Sequence, residues 1–164
     1  MQKWTDLYTE ISGKIDSLPA IKWIDLWHNQ VGFLQDEHPF ATPACFLGFR
    51  SNQMKDMGKK VQQVGLQVDV YLFYESFADT YRGSVNQESA LGFLQSLDDI
   101  NALLHGSSGE NYSSMRRVGF APIDTGGAGN LYQATYECTL VDYSAKKEFA
   151  EGSFADLEIN KFTV

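Results

Sequence analysis

The sequence is poor in residues that cross-link a chain, chelate metals or span membranes. Its two cysteines, Cys45 and Cys138, form no CxxC pair and no spacing typical of a zinc site. Both lie in apolar runs of strand length, where a thiol is usually buried. No segment approaches the roughly 20 consecutive apolar residues of a membrane helix, and the start, MQKWTDLYTEISG, contains no apolar signal segment. We therefore expect reduced thiols, no membrane contact and a cytoplasmic location.

Positive charge is also scarce. The chain has 13 lysines and arginines against 21 aspartates and glutamates, a formal net charge of -8. This balance disfavours nucleic acid as the main partner and predicts no sequence-specific nucleic-acid binding, although a local basic patch is compatible with it. A length of 164 residues fits one domain better than two. We assign that domain to residues 1–144 and treat residues 145–164 as a C-terminal extension, either an edge strand or a mobile tail.

Two segments have the apolar spacing of an amphipathic helix. The first runs from Trp4 to Leu18 and ends before Pro19. The second follows Asn86, a candidate N-cap, and ends before Gly106, which suits the left-handed backbone after a helix. In this second helix Ser96 is predicted to lie on the polar side, away from the apolar face.

Strand-like alternation fills much of the remaining chain. It is clearest over Leu66–Glu75, with a start as early as Val61, and over Leu131–Asp142. Shorter strands are predicted at residues 20–27, 44–49 and 115–121, and residues 157–164 are either an edge strand or part of a mobile tail. The polar segment RSNQMKDMGKK is predicted to be a turn or a disordered hairpin tip. Strands outnumber helices, so we expect an α+β domain: a mainly antiparallel sheet of about 4–6 strands with two helices packed on one face.

The segment IDTGGAG contains the Asp-Thr-Gly triad of aspartic proteases, beginning at Asp124. Those enzymes need two carboxylates that share one proton. This chain has a single triad, and no second glycine-containing apolar motif follows it. Asp and Gly between two alternating strands are also the residues that a hairpin loop needs. We therefore interpret the segment as a hairpin loop in which Asp124 accepts hydrogen bonds from backbone amides, and we expect no catalytic residue.

The other candidate chemical sites have equally ordinary interpretations. The glycine-rich segment HGSSGEN follows a helix and leads into a strand, the reverse of a phosphate-binding loop, and carries Glu110 where a lysine would be expected. The histidines lack paired spacing and a neighbouring nucleophile motif; they are His28, His38 and His105. The sequence predicts neither a metal site nor a cofactor.

Large aromatic residues cluster in the strands and at their ends, some on the face opposite the main apolar face. They are Trp23, Trp27, Tyr71, Phe73, Tyr74, Phe77 and Tyr81. Such a face either contacts another protein or forms a second core with the long loop before Ala44. Arg116 and Arg117 begin a strand. We expect one of three roles for them: pairing with acids of a neighbouring copy, contact with nucleic acid, or an ion pair within the domain.

The order and character of the segments resemble those of the small tail-terminator (tail-completion, head–tail joining) proteins of tailed phages and prophages. The segments that carry the resemblance follow a first helix and are IKWIDLWHNQ, PFATPACFLGF, VQQVGLQVDVYLFYE, SALGFLQSLDDINALLHGSSGEN and LYQATYECTLVD. The resemblance covers Trp4–Asp142. It implies a non-enzymatic α+β subunit that assembles into a ring, commonly a hexamer, which caps the tail tube, stops its polymerisation and joins it to the head.

The resemblance also implies partners and places. The partners are further copies of the chain, a tail tube protein and a head-completion protein; the places are the host cytoplasm and then the virion tail. A ring needs two different patches on each subunit, and the residues that we expect there are Trp23, Trp27, Tyr71, Phe73, Arg116, Arg117 and Asp124. The loops at 54–60 and 106–114 are expected to face the lumen or the tube. The alternative function is a small-ligand-binding α+β domain whose aromatics line a pocket.

Overall fold

Residues 4–33, 39–75, 80–126 and 129–146 are described in the structure, a computed structural model. They form one five-stranded sheet in the order β1-β2-β3-β5-β4. The strands are β1 (Trp23–Leu26), β2 (Ala44–Gly58), β3 (Val61–Tyr74), β4 (Arg116–Ile123) and β5 (Asn130–Asp142). β1 runs parallel to β2, and all other neighbours are antiparallel. The predicted α+β domain with a mainly antiparallel sheet is confirmed.

The helices begin and end near their predicted positions. They are α1 (Trp4–Asp16), a short 3₁₀ helix (Gln30–Phe33), α2 (Gln87–Leu91) and α3 (Phe93–Leu104). The predicted second helix is therefore divided at Gly92, whose N–H donates a hydrogen bond to Ser89 O at 3.3 Å. Asn86 precedes α2, but its side chain makes no capping hydrogen bond. Gly106 has the expected left-handed backbone, with φ 78°.

The main core lies between the helices and one face of the sheet. Its members alternate along the strands and recur at helical spacing: Leu7, Ile11 and Ile15 of α1, Ile100 and Leu104 of α3, and Val64, Leu66, Val68, Val70 and Leu72 of β3. The prediction for Ser96 is wrong, because this side chain is buried while Leu94 is 40% exposed. The break at Gly92 separates α3 from α2, and the buried face of α3 follows Phe93, Ser96 and Ile100.

The hairpin of β2 and β3 differs most from the sequence-based expectation. The predicted turn RSNQMKDMGKK is strand up to Gly58, and only Lys59 and Lys60 form the turn. β2 pairs with β3 as far as Gly58 opposite Val61. The residues Arg50–Gly58 are exposed along their whole length. Backbone hydrogen bonds to β3 therefore hold them as a strand without the alternating burial on which sequence prediction depends. We call residues Arg50–Val61 the arm.

The remaining differences are at segment ends. β1 is shorter than predicted, and β4 continues through Ile123. The predicted C-terminal extension lies outside the described residues from residue 147 onward, including residues 157–164 with their two alternatives of edge strand or mobile tail. Phe77 and His38 lie outside the described residues as well. Within the described residues, no helix is long and apolar enough to cross a membrane.

Candidate functional site

Asp124 lies in the turn that joins β4 to β5. Its Oδ1 accepts a hydrogen bond from the Gly126 N–H at 2.9 Å, and the side chain is exposed. Gly126 and Gly129 have left-handed backbones, with φ 67° and 99°. For the described residues of IDTGGAG, 123–126 and 129, the interpretation as a hairpin connection between β4 and β5 is confirmed. Across the part of the chain that the structure describes, no group of three or more His, Cys, Asp or Glu residues is placed to hold a metal ion.

The glycine-rich loop after α3 binds a carboxylate of the same chain, that of Glu10 on α1. The Glu10 carboxylate of α1 accepts hydrogen bonds from the N–H groups of Glu110 and Asn111 at 2.8 and 3.0 Å, and from Asn111 Nδ2 at 2.8 Å. One helical turn further on, Lys14 Nζ donates to Ser108 O at 2.8 Å and contacts Tyr112 OH at 2.6 Å. The loop amides therefore fasten the loop to α1, a contact that sequence reasoning missed because its partners are about a hundred residues apart.

The Glu10 contact predicts a pH-dependent contribution to stability. Burial by itself raises the pKa of Glu10, but the Asn111 side chain, the two loop N–H groups and the charge of Lys14 together lower it below its usual value. A carboxyl with a lowered pKa in the folded state stabilises the fold above its unfolded pKa, and this contribution is lost as the pH falls through the folded pKa. We expect Glu10→Gln to reduce the free energy of unfolding by about 1 kcal/mol at about pH 7. The loss is no larger because the carboxylate is partly solvated.

Urea unfolding of both proteins at about pH 7 and about pH 3 measures this effect, and the difference should shrink at the lower pH. Glu110→Gln is the matched control, since the Glu110 side chain is exposed and only its backbone N–H contacts Glu10. An equal loss for Glu10→Gln at both pH values would contradict the electrostatic interpretation.

The second face of the sheet holds a second core rather than an exposed aromatic surface. Val31, Ala44, Phe46, Phe73 and Leu131 are buried there, and Trp27, Phe40, Tyr71 and Ile123 pack against them. Trp27 stacks on Tyr71 with ring centroids 4.1 Å apart, and Phe40 lies edge-on to Phe73 at 5.9 Å. The expectation of an accessible contact residue is therefore wrong for Phe73, which is only 1% exposed, because the segment before β2 covers it. Trp27 and Tyr71 are half-buried.

A buried carboxylate continues this second face beyond the aromatics. Asp69 is 2% exposed and accepts hydrogen bonds from Arg50 Nη2 at 2.7 Å and from Thr135 Oγ1 at 2.8 Å. Arg50 Nε and Gln67 Nε2 donate two more, at 2.8 and 3.3 Å. Burial first, and then the charge of Asp69, raise the pKa of Tyr71, while Arg50 opposes them. The polar atoms of these residues form hydrogen bonds with one another within a single chain. The network therefore stabilises the sheet.

The remaining predicted contact residues are exposed but are not brought together. Trp23, 38% exposed, lies on β1 at one edge of the sheet, while Arg116 and Arg117 lie on β4 at the other edge. Arg116 Nη2 is 3.5 Å from the carboxylate of Glu137, an ion pair within the domain. Arg117 lies 5.8 Å from the centre of the Phe120 ring. The edge thus combines exposed cations with exposed apolar side chains.

Both edges of the sheet are open in the described residues. On β4, Val118 and Phe120 are 45% and 49% exposed. At the opposite edge, β1 pairs with β2 only as far as Leu47, so no described strand lies beside β2 from there to Gly58. The arm projects two further apolar side chains, Met54 and Met57, which are 56% and 58% exposed. Sequence reasoning missed the arm because it read these residues as a turn.

Neither thiol is placed for nucleophilic chemistry. Cys45 and Cys138 are unpaired and buried. Burial raises the pKa of Cys45 to about 12 and that of Cys138 to about 11. Since the thiolate is the reactive form, both are inert near neutral pH. His105 Nδ1 accepts a hydrogen bond from the Arg117 N–H at 3.1 Å, which assigns it a role in fixing the start of β4.

No protein-family model matches the chain, and a comparison with curated proteins finds no match either. The fold and the geometry described above define its class, an α+β domain with two cores and a sheet whose two edges are open in the described residues.

Proposed function

We propose that the protein is a non-enzymatic assembly subunit of the tail-terminator type. Its copies join into a ring, a hexamer as the resemblance implies, which caps the tail tube and joins it to the head. The observation that carries this proposal is the open sheet: among the described residues, no strand pairs with the outer side of β4 at one end or with the outer side of β2 beyond Leu47 at the other. Ring closure needs two different surfaces on each subunit, and these two edges differ in sequence and position.

The exposed side chains along the edges support the same proposal. Val118 and Phe120 lie on β4, and Met54 and Met57 lie on the arm. Aromatic residues and Met are enriched in protein interfaces relative to the rest of a protein surface. These four side chains lie on strands whose outer sides are unpaired in the described residues, so burial of apolar area and backbone pairing are available at the same contact.

A chemical role has less support from the described residues. Asp124 is engaged by the Gly126 N–H, and the loop amides of Glu110 and Asn111 are engaged by Glu10. The ligand-binding alternative needs aromatics that line a pocket, whereas the aromatic rings of the second core contact one another, Trp27 on Tyr71 among them. We therefore prefer assembly to ligand binding. The proposed partners are further copies of the chain, a tail tube protein and a head-completion protein, first in the host cytoplasm and then in the virion tail.

Sedimentation velocity tests this proposal. We expect a species whose mass is a multiple of the 18.4 kDa chain and which grows in proportion with concentration. Val118→Asp should lower the association constant of the subunits by about tenfold or more, because it places an unpaired charge in an apolar contact. Val85→Asp is the matched control, since Val85 is fully exposed and belongs to the segment between β3 and α2 rather than to an edge strand.

A monomer at every concentration, both alone and mixed with the tail tube protein encoded in the same genome, would overturn the proposed function. Equal weakening by Val118→Asp and Val85→Asp would show that added negative charge, rather than the β4 edge, governs assembly.

A further inference from the structure

The turn of the arm has a strained backbone that its sequence does not relieve. Lys59 and Lys60 are both left-handed, with φ 53° and 62°, and form the two-residue turn between Gly58 and Val61. Hairpin turns of this kind favour Asn-Gly, because a left-handed residue with a Cβ costs about 1–2 kcal/mol. Both lysines are exposed, and within the described residues neither ammonium group has a hydrogen-bond or ion-pair partner. Strain held at such a position points to a contact outside the chain.

The charge of the arm is opposite to that of the rest of the molecule. Residues 50–60 contain four bases and one acid, a net charge of +3, although one of the bases, Arg50, is already paired with Asp69. Since the whole chain carries -8, the remaining residues carry -11. A second copy of this chain therefore offers a surface of complementary charge, and such complementarity both speeds encounter and fixes orientation.

The β2 edge offers backbone hydrogen bonds at the same place. From Gly48 to Gly58 it is unpaired among the described residues on the side away from β3, a length of about 35 Å. Irregularities in the β2–β3 register lie between Ser51 and Gln53 and between Asp56 and Gly58. Bulges of this kind discourage indiscriminate strand pairing, so the edge is suited to a specific partner.

The apolar residues of the arm favour a protein over a nucleic acid as that partner. Met54 and Met57 are more than half exposed, and methionine adapts well to protein surfaces. A phosphate backbone would meet the three lysines of the arm but would be repelled by the negative charge of the rest of the chain.

We infer that the arm docks on a second copy of this chain, with the β2 edge pairing to backbone groups of the neighbour and with Lys59 and Lys60 contacting its acidic residues. The inference rests on the proposed function and deepens it, because it names the element that joins one subunit to the next.

Two tip variants and one control test the role of the lysines. Lys59→Asn with Lys60→Gly removes both charges and relieves the backbone; we expect assembly to weaken about tenfold while the free energy of unfolding stays equal or rises. Lys59→Glu with Lys60→Glu should weaken assembly further. Lys22→Glu with Lys146→Glu, at two other exposed positions, changes the net charge by the same amount and should have a smaller effect. The readout is the concentration dependence of sedimentation at low and high salt.

Cross-linking identifies the occupant. Isotopically heavy and light full-length chains are mixed, and a carbodiimide joins lysines to carboxylates. We expect peptides in which Lys59 or Lys60 of one label is joined to an acid of the other label. Links only within one label, including links to residues 147–164, would overturn the inference, as would tip variants that assemble like the wild-type protein. In both cases wild-type assembly would leave the proposed function standing, whereas a monomeric wild-type protein would refute both.

Discussion

Phe73→Ala is expected to lower the free energy of unfolding by about 3–5 kcal/mol, the usual cost of removing a buried phenyl ring. Phe73 is 1% exposed and lies edge-on to Phe40 in the second core. Its ring also approaches Gly129, where an added Cβ would lie 2.5 Å from Phe73 Cε2. Because the surroundings of the ring are already closely packed, they cannot relax far into the cavity that the substitution leaves. The loss of unfolding free energy should therefore be near the upper end of this range. Urea unfolding followed by tryptophan fluorescence measures it.

Trp23→Ala is the matched control on the same side of the molecule. Trp23 is 38% exposed on β1, and we expect a loss of at most about 1 kcal/mol. Each variant is measured at a low and a high protein concentration, because coupling to assembly makes apparent stability depend on concentration. For Phe73→Ala, the difference from wild type should be the same at both. If the difference in unfolding free energy grows with protein concentration, Phe73 contributes to a contact between subunits, as the sequence predicts.

Asp69→Ala is expected to lower the free energy of unfolding by about 2 kcal/mol. The substitution leaves the half-buried Thr135 hydroxyl and Gln67 amide without their acceptor. It also releases Arg50, but that side chain is 61% exposed and water replaces its partner. The cost should therefore stay below the loss typical of a fully buried ion pair that has been broken.

Two further variants separate charge from burial at this position. Asp69→Asn keeps one carbonyl acceptor and should lose about half as much, roughly 1 kcal/mol. Asp98→Ala removes a carboxylate from an exposed position on α3 and should change stability by at most about 0.5 kcal/mol. Thermal unfolding compares the three variants with the wild-type protein. Asp69→Ala with wild-type stability would show that the network contributes nothing net to the fold.

The alternating strands could be predicted because one of their faces is buried. Along β3, Val64 through Leu72 face the helices at every second position, and β5 repeats the pattern with Ala134, Tyr136 and Cys138. The outer half of β2 carries no such signal. Its residues are exposed on both faces, so its pairing with β3 depends on backbone hydrogen bonds to which sequence periodicity is blind.

The face on which Phe73 lies could be predicted, but its burial could not. Alternation places Phe73 opposite the residues that face the helices. Whether that face meets solvent, a partner or its own chain depends on the path of the segment before β2, where Phe40 and Val31 pack against it. The contact of Glu10 with the loop at Glu110 was hidden for a similar reason, because hydrogen bonds between residues this far apart leave no local pattern.

Class averages from electron microscopy of the purified full-length protein test most directly whether it is an assembly subunit with two different edges. Copies that join β2 of one subunit to a different surface of the next should close into rings with a central channel and a constant number of subunits. The arm variant Lys59→Glu with Lys60→Glu should yield few or no rings on the same grids. Only single subunits, or only dimers related by a two-fold axis, both for the protein alone and after mixing with the tail tube protein, would contradict the proposed assembly.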